Sequence, residues 1–501
     1  MVDTGAKIDS ILELIEQGKY FTINRARQYG KTTTLRLLEQ ALLAKGTIAA
    51  RISFEGIDDE FFETSEAFCS SILDQIATVL ERKSIPNAEA WRNDSIDSFK
   101  SLAAYIALMC QNKKVVLIID EVDKTSNNFI FLKFLGMLRE SYLRRDDVPT
   151  FQSVILAGVY DIKNVKIKLI NSGQYQLQDG EKRINSPWNI AIDFKVDMSF
   201  STLEIATMLN EYEADYHTGM DIESISKELR YYTNGYPFLV SKLCLIIHED
   251  LEKDWTVSGV QNAVKELIYS TNTLFDDLSK NLQSYPELKQ IMYDIIIDGK
   301  VFDYNSMNTI IELGLTFGFL MRKGNFVIVG NKIFETILYN YFIQMEQIKG
   351  ILPEDISSGV LEDGKLNMRL CLEKFAQHYY ELYSSQNEKF LEKECRLLFL
   401  TYLKPFLNGK GFAVVESETR NSERTDILVL FGKEQFIVEL KIWRGDNAHE
   451  KAYRQLAGYL ESKAKDTGYL LTFDFRKNRS DSFSAEWVDY ENKRIFDVVA
   501  V

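Results

Sequence analysis

Proline is scarce in this chain, with seven among 501 residues, and no Pro-rich or Gly/Ser-rich stretch interrupts it. Extended or freely flexible spacers are therefore excluded, and any domain boundary falls in a short loop. Long apolar runs are also missing. None approaches the roughly 18 residues of a membrane span, and the opening residues, MVDTGAKIDS, do not read as a signal peptide. The five cysteines, Cys69, Cys110, Cys244, Cys371 and Cys395, form no CxxC pair and have no histidine at zinc spacing. They read as reduced thiols, several on apolar faces, of a soluble cytoplasmic protein. Excess positive charge is absent too: the net charge is −14, against a chain that coats nucleic acid non-specifically. Only about −3 of that total falls in residues 351–501, so the acidity lies in the first 350, and a local basic groove remains compatible with the last third.

What is present is ordinary for a globular protein: 46% hydrophobic and 26% charged residues. A chain of this length exceeds one typical core and predicts two or three domains.

The first informative stretch begins with a helical pattern over residues 8–18, IDSILELIEQG, ending at Gly18, and a short apolar strand, YFTIN, over 20–24. RARQYGKTTTLRLLEQALLAKG follows, a loop running into a long helix. A strand, a glycine-bearing loop, Lys-Thr and a helix make the phosphate-loop arrangement. The backbone of Arg27, Gln28, Tyr29 and Gly30 and the helix start at Lys31, Thr32 and Thr33 would cradle phosphates, helped by the helix dipole. Lys31 would reach the outer phosphates and the Thr32 hydroxyl would hold Mg²⁺. Arg25 stands where the consensus has its first glycine; taken alone, Gly-Lys-Thr also fits an ordinary αβ turn.

A second stretch, VVLIIDEVD over 115–123, reads as a central parallel strand carrying Asp120 at its C-terminal end, where open α/β sheets bind ligands. Asp120 suits Mg²⁺ through water, and Glu121 suits polarising the water that attacks ATP. SVILAGVYD (153–161) is a further strand, with Tyr160 and Asp161 as weak sensor candidates. RISFEG (51–56) is another; its Glu55 could touch the site or be a solvated loop carboxylate. Arg139, Arg144 and Arg145 read first as a solvated helix face and only second as a source of an arginine finger.

These segments resemble the AAA-like, STAND-type ATPases of prokaryotes over roughly residues 8–345. TINRARQYGKTTTL resembles that group's variant phosphate loop, in which the first glycine is often replaced, LIIDEVD its acidic strand, SPWNIAIDF (186–194) an element after the sensor strand, and YYTNGYPFLVSKLC (231–244) the Gly-x-Pro start of a helical lid. The resemblance implies that Gly235 and Pro237 open a lid helix facing the nucleotide, although simple helix capping explains the same residues. Residues 286–345 read as a winged-helix module with a Lys-Gly hairpin turn. Its candidate recognition helix, SMNTIIELGL, has no Lys or Arg, which favours a lid or partner-docking role over DNA reading.

Residues 351–365 are polar and read as a linker. Beyond them, RTDILVLFGKEQFIVELKIWRG (424–445) predicts two strands around a Gly-Lys turn. Glu439 and Lys441, two apart, share one face, and antiparallel pairing brings Asp426 near Glu439. Two carboxylates and an ammonium can hold Mg²⁺ with open positions for water and phosphate. The stretch resembles the PD-(D/E)xK nuclease superfamily over roughly 385–480, with Thr425 in place of the proline. That resemblance implies catalytic roles for Asp426, Glu439 and Lys441, support from Gln455 in AYRQLAGYLESK, with Tyr459 one turn on, and a further metal ligand at Glu394. Glu394 reads equally as a surface helix carboxylate, and Glu416 or Glu418 are alternatives. Lys441, Arg444 and Arg454, with Trp443 and Tyr453, could form a strip for DNA backbone. His449 nearby reads as a surface or packing residue.

The expected architecture is α/β: an ATPase core over 1–200 built on a parallel sheet, a helical lid over 201–283, a winged-helix-like module over 284–350, and a restriction-endonuclease-like α/β domain over 366–501. The expected cofactors are ATP and Mg²⁺. The expected activity is an ATP-binding and ATP-hydrolysing regulatory module coupled to a Mg²⁺-dependent DNA endonuclease, in a setting such as defence or mobile-element biology. The alternative is a signalling ATPase whose last domain only binds nucleic acid or protein. Expected partners are nucleic acid, most simply DNA, at the C-terminal domain and a second copy or another protein at the winged-helix region, with no membrane.

Overall fold

The computed structural model describes residues 2–55, 59–93, 95–122, 129–158, 188–192, 194–297, 300–348, 360–362, 365–383, 392–407, 411–415, 426–431, 434–463, 465–476 and 482–501. Tyr160, Asp161, Ser186, Pro187, Glu416, Glu418, Thr425 and most of the 351–365 linker lie outside them, as does the side chain of Asp426. The chain divides into two compact units, one of Met1–Glu211, Tyr236–Phe238 and Thr316–Gly318 and the other of Tyr212–Gly235, Leu239–Leu315 and Phe319–Val501.

The first unit is a three-layer α/β/α structure. Its elements are α1 (Gly5–Glu16), β1 (Phe21–Asn24), α2 (Lys31–Ala44), β2 (Ile48–Ser53), α3 (Ser65–Arg82), α4 (Phe99–Met109), β3 (Val115–Asp120), α5 (Phe129–Leu143), β4 (Ser153–Gly158) and most of α6 (Thr202–Tyr216). The four strands are parallel in the order β1-β4-β3-β2, and a single parallel bridge from Phe21 to Ile192 extends the sheet beyond β1. β3 and β4 are buried along their whole length, as near-continuous apolar strands covered on both faces must be. Ile8, Ile11, Leu12 and Ile15 form one buried helical stripe on α1 and pack with Leu35 and Leu38 of α2 against Phe21, Ile23 and Val116. On the other face Phe68, Ile72, Phe131 and Phe134 cover Leu117, Ile119 and Leu156.

The second unit holds α7 (Ile222–Thr233), α8 (Pro237–Glu249, whose first two residues belong to the first unit), α9 (Val257–Tyr269), α10 (Thr273–Ser284) and α11 (Pro286–Ile296). Next come β5 (Phe302–Asp303), α12 (Thr309–Thr316), β6 (Leu320–Lys323), β7 (Phe326–Val329) and α13 (Lys332–Ile348). The expected hairpin forms, with Gly324 at a left-handed φ of 63° in its turn, and β5 completes a small antiparallel sheet in the order β5-β7-β6. The linker reading needs one correction: β8 (Leu361–Glu362) and β9 (Lys365–Leu366) pair as a short ladder, with Val360 and Leu366 buried.

The remaining elements are α14 (Met368–Tyr383), α15 (Glu392–Leu407), β10 (Gly411–Val415), β11 (Asp426–Phe431), β12 (Glu434–Ile442), α16 (Asp446–Ser462), β13 (Thr467–Phe473), β14 (Ser484–Tyr490) and β15 (Lys493–Ala500). They form a mixed six-stranded sheet in the order β10-β11-β12-β13-β15-β14. β10, β11 and β12 pair antiparallel, β12, β13 and β15 parallel, and β14 closes the edge antiparallel to β15. α16 packs on one face, where a Cβ on Gly468 would meet Leu456 and Leu460. α14 packs on the other, with Phe375 and Tyr379 against Phe473. Among the described residues no helix is long and apolar enough to cross a membrane.

Candidate functional sites

The loop between β1 and α2 is shaped by two left-handed residues, Gln28 (φ 57°) and Gly30 (φ 78°). A Cβ on Gly30 would meet only Pro237, at ordinary contact distance, so the need for glycine here comes from φ and not from space. Gly30 is the N-cap of α2, and its carbonyl accepts from Thr34 N at 2.9 Å. Lys31 is 8% exposed. Its ammonium donates to the carbonyls of Arg25 and Ala26, both at 2.9 Å, and so curls back over the loop that precedes it. Thr32 and Thr33 are exposed at the helix start, as are Arg27 and Gln28 in the loop.

Arg25 acts as an anchor. Its guanidinium donates to Asn24 O at 2.8 Å and Val196 O at 2.9 Å and lies over the Phe194 ring at 5.4 Å. Burial lowers its pKa from the ordinary arginine value. A glycine at this position would give a freer loop; the arginine pins the loop's entry to the 194–196 segment. Composition gives no sign of this, because both anchoring partners are backbone carbonyls.

Sequence reasoning also missed Tyr236. Its hydroxyl donates to Arg27 O at 2.6 Å, and its ring meets Tyr29 edge-on at 4.7 Å. Gly318, left-handed at φ 71°, packs so close that an added Cβ would lie 3.1 Å from Ala26. With Pro237 beside Gly30, the phosphate loop is thus covered by two short segments remote in sequence.

Asp120 ends β3, 6% exposed, in register with Ser53 of β2. Its Oδ1 accepts from Glu121 N at 3.0 Å, and Glu121 takes a left-handed φ of 54°, an uncommon conformation for glutamate. The order β1-β4-β3 sets β4 between the loop strand and this acidic strand: Arg25 N donates to Gly158 O. Two of the arginines after β3 are already engaged. Arg145 donates to Gly18 O at 2.5 Å, and Arg144, just past the end of α5, pairs with Glu140 one turn back.

In the C-terminal sheet Asp426 stands opposite Glu439 in the β11–β12 register. Glu439 is fully buried, and its Oε1 lies 2.8 Å from Lys441 Nζ. A buried carboxylate needs such a partner, since an isolated one costs several kcal/mol. Both residues project to the α16 face, in the rows of Leu470 and Thr472 of β13. Glu394 is half-buried on α15, which packs beside α14 through Phe399 and Tyr402. On α16, Gln455 is exposed and Tyr459 buried. Among the described residues no three His, Cys, Asp or Glu side chains form a metal-binding group.

The proposed surface strip divides in two. Arg444 and Arg454 are exposed. Tyr453 and His449 instead turn inward to Asp497 of β15, whose Oδ2 lies 2.7 Å from His449 Nε2 and accepts from the Tyr453 hydroxyl. Burial first, and then this carboxylate, raise the Tyr453 pKa. Trp443 lies tilted against His449, ring centroids 4.7 Å apart, with the Arg476 guanidinium on its ring at 4.8 Å.

A family model described as an AAA-like domain matches residues 6–342; the six-stranded sheet lies beyond it. No curated protein matches the chain. Among solved structures, a Walker-type ATPase of Pyrococcus abyssi overlaps 68% of this chain and 96% of its own at 12% identity and a TM-score of 0.44. The ORC2 protein of Aeropyrum pernix, in ADPNP and ADP complexes, overlaps 69% and 93% at 12% identity and 0.38. DnaA of Aquifex aeolicus bound to AMPPCP overlaps 70% and 89% at 14% identity and 0.32. All three scores fall below 0.5.

Proposed function

The chain belongs to the AAA-like domain family, and from that premise we propose that it is an ATP-binding and ATP-hydrolysing regulatory module coupled to a Mg²⁺-dependent DNA endonuclease. The observation that carries the first half is the loop at β1–α2. Lys31 is held by its own loop carbonyls, Gly30 takes a left-handed φ, and α2 begins there, so that its first amides are open to an anion as at other helix starts. These residues fit a nucleotide triphosphate. Arg27 to Thr33 would hold its phosphates, and Thr32 and Asp120 would hold its Mg²⁺. Glu121 would orient water. Bound Mg²⁺ neutralises the charge that builds on the phosphate oxygens. The STAND-type assignment, the lid role of 201–283 (α6–α10) and the winged-helix role of 284–350 belong to the same proposal.

The second half rests on Glu439 and Lys441 side by side, with Asp426 in register across the hairpin. Such a donor set would suit one hard cation: Asp426 and Glu439 would supply oxygen, and Glu394 is the candidate third ligand. Lys441 would hold a water or phosphate oxygen, Gln455 would position it, and Arg444 and Arg454 would meet the DNA backbone.

A second reading, a non-catalytic nucleic-acid or protein binding module, is favoured by the complete burial of Glu439. One experiment separates them. Purified protein is incubated with Mg²⁺ and DNA, with and without ATP, beside Lys441→Ala and Glu121→Gln. The endonuclease reading expects Mg²⁺-dependent cleavage that Lys441→Ala abolishes. Glu121→Gln should bind ATP and lose turnover. Absence of cleavage in every nucleotide state, or equal cleavage by Lys441→Ala, selects the binding-module reading.

A further inference from the structure

The sequence offers only a polar linker between the AAA-like region and the C-terminal sheet. Within the second unit, however, residues from 366–501 meet helices of 201–348 directly, at two places. At the first, Lys404 of α15 donates to Asn340 of α13, to the backbone carbonyl at 3.3 Å and to Oδ1 at 3.2 Å. Tyr269, at the end of α9, donates to Gly411 O of β10 at 3.4 Å. These groups, with Tyr339, Leu400, Leu407 and Ala413, enclose a cavity of about 20 Å³. The Tyr339 hydroxyl is buried there without a hydrogen-bond partner among the described residues and feels the buried Arg396 of α15. Burial lowers the pKa of Lys404. At the second place, the Lys463 ammonium at the end of α16 lies 5.4 Å over the Tyr231 ring of α7. It also offsets the raised pKa of Glu228, whose carboxylate accepts from Gln261 of α9 at 3.0 Å.

The first of these contacts is part-buried and the second borders solvent; a buried polar contact contributes little net stability and can serve to fix one register between the surfaces it joins. We infer that the C-terminal sheet docks on α7, α9 and α13 through the Lys404–Asn340 and Lys463–Tyr231 contacts, and that these contacts carry the state of the first site to the second. The chain supplies the near end of that route. Tyr236 holds the phosphate loop through Arg27. Two residues earlier, Asn234 donates to Gly330 O at 3.0 Å, next to Asn331, whose Oδ1 caps α13 by accepting from Phe334 N at 2.8 Å. The transmission half of the inference rests on the nucleotide reading proposed above; the docking half does not.

Hydrogen exchange on the full chain tests both. Without nucleotide, Lys404→Met should cost amides in β10 and in the second half of α13 about tenfold in protection, together, while β13 and β15 keep theirs. Asn340→Ala, which removes only the Oδ1 acceptor, should give the same joint loss in smaller degree. Unchanged protection, or loss confined to α15, overturns docking. ATP is then added and its binding measured in the same samples. Bound ATP should change exchange in β10 and α15 at least twofold in the wild type, and Lys404→Met combined with Lys463→Ala should remove the change at saturating ATP, with ATP affinity altered by no more than the reciprocal factor. Bound ATP with no change in β10 and α15 overturns transmission alone. ATP that does not bind overturns the nucleotide reading and transmission together, while docking stands or falls on the nucleotide-free result.

Discussion

Glu439 and Lys441 show how far a residue pattern reaches. Their spacing predicts a shared face, and the 2.8 Å pair follows. The complete burial of Glu439 does not follow from spacing, because it depends on α16 crossing that face. Burial makes the pair's energetics asymmetric: removing one partner strands a charge, whereas replacing both removes the problem. Lys441→Met should destabilise the fold by about 3–5 kcal/mol. Adding Glu439→Gln should return a substantial part of that loss. Urea unfolding of the two single variants and the double variant gives the coupling, and strictly additive losses would mean that the contact is not energetically real. Arg25 and Tyr236 mark the opposite limit. Each is anchored on a backbone carbonyl, and a carbonyl has no letter in the sequence.

At the scale of elements, strands with continuous apolar runs were legible: β3, β4, β11 and β12 lie within the stretches 115–123, 153–161 and 424–445 that predict strands. The β14–β15 hairpin was not. Its turn is Glu491-Asn492, both left-handed at φ 46° and 63°, with none of the glycine that usually marks a two-residue turn. The first strand of the pair is mostly exposed, so its apolar signal is weak as well. Helix starts shifted for local reasons: SMNTIIELGL begins its helix only at Thr309, after Asn308 takes the cap and accepts from Ile311 N. β10 carries a sharper constraint. A Cβ on Gly411 would lie 2.4 Å from Leu430 O, a backbone atom of the paired strand, so the ladder itself must move. Gly46 is left-handed with open space around it, and alanine there meets only backbone strain of roughly 1–2 kcal/mol. Gly411→Ala should therefore destabilise clearly more than Gly46→Ala in urea unfolding, and should lower protection along β10. A smaller loss at Gly411 would place the β10–β11 register in error.

For the whole molecule, composition and length predicted more than one core, and the chain divides into two units. Local composition drew the division near residues 200, 283 and 350. Contacts draw it after Glu211 and return Tyr236–Phe238 and Thr316–Gly318 to the first unit. Three-residue segments that come back by tertiary contact leave no mark in composition, so this part of the organisation could not be read. They matter for a ligand, because both returned segments pack on the phosphate loop. A nucleotide bound there stabilises the unit that contains the loop and leaves the other to respond only through coupling. At about 100 times its Kd, ATP adds roughly 2.7 kcal/mol to that unit, which for a unit of this size raises its midpoint by roughly 5–10 °C. Scanning calorimetry should therefore resolve two transitions, of which ATP with Mg²⁺ moves one by that amount. Lys31→Ala should reduce the shift, since losing a charged phosphate contact costs about 1.5–3 kcal/mol, a tenfold to hundredfold loss of affinity. Lys441→Ala should leave the ATP-dependent shift intact while altering the other transition. A shift that survives Lys31→Ala undiminished would remove the phosphate loop from ATP binding. Equal movement of both transitions would mean that the two units unfold as one, and that the division seen in their contacts has no thermodynamic counterpart.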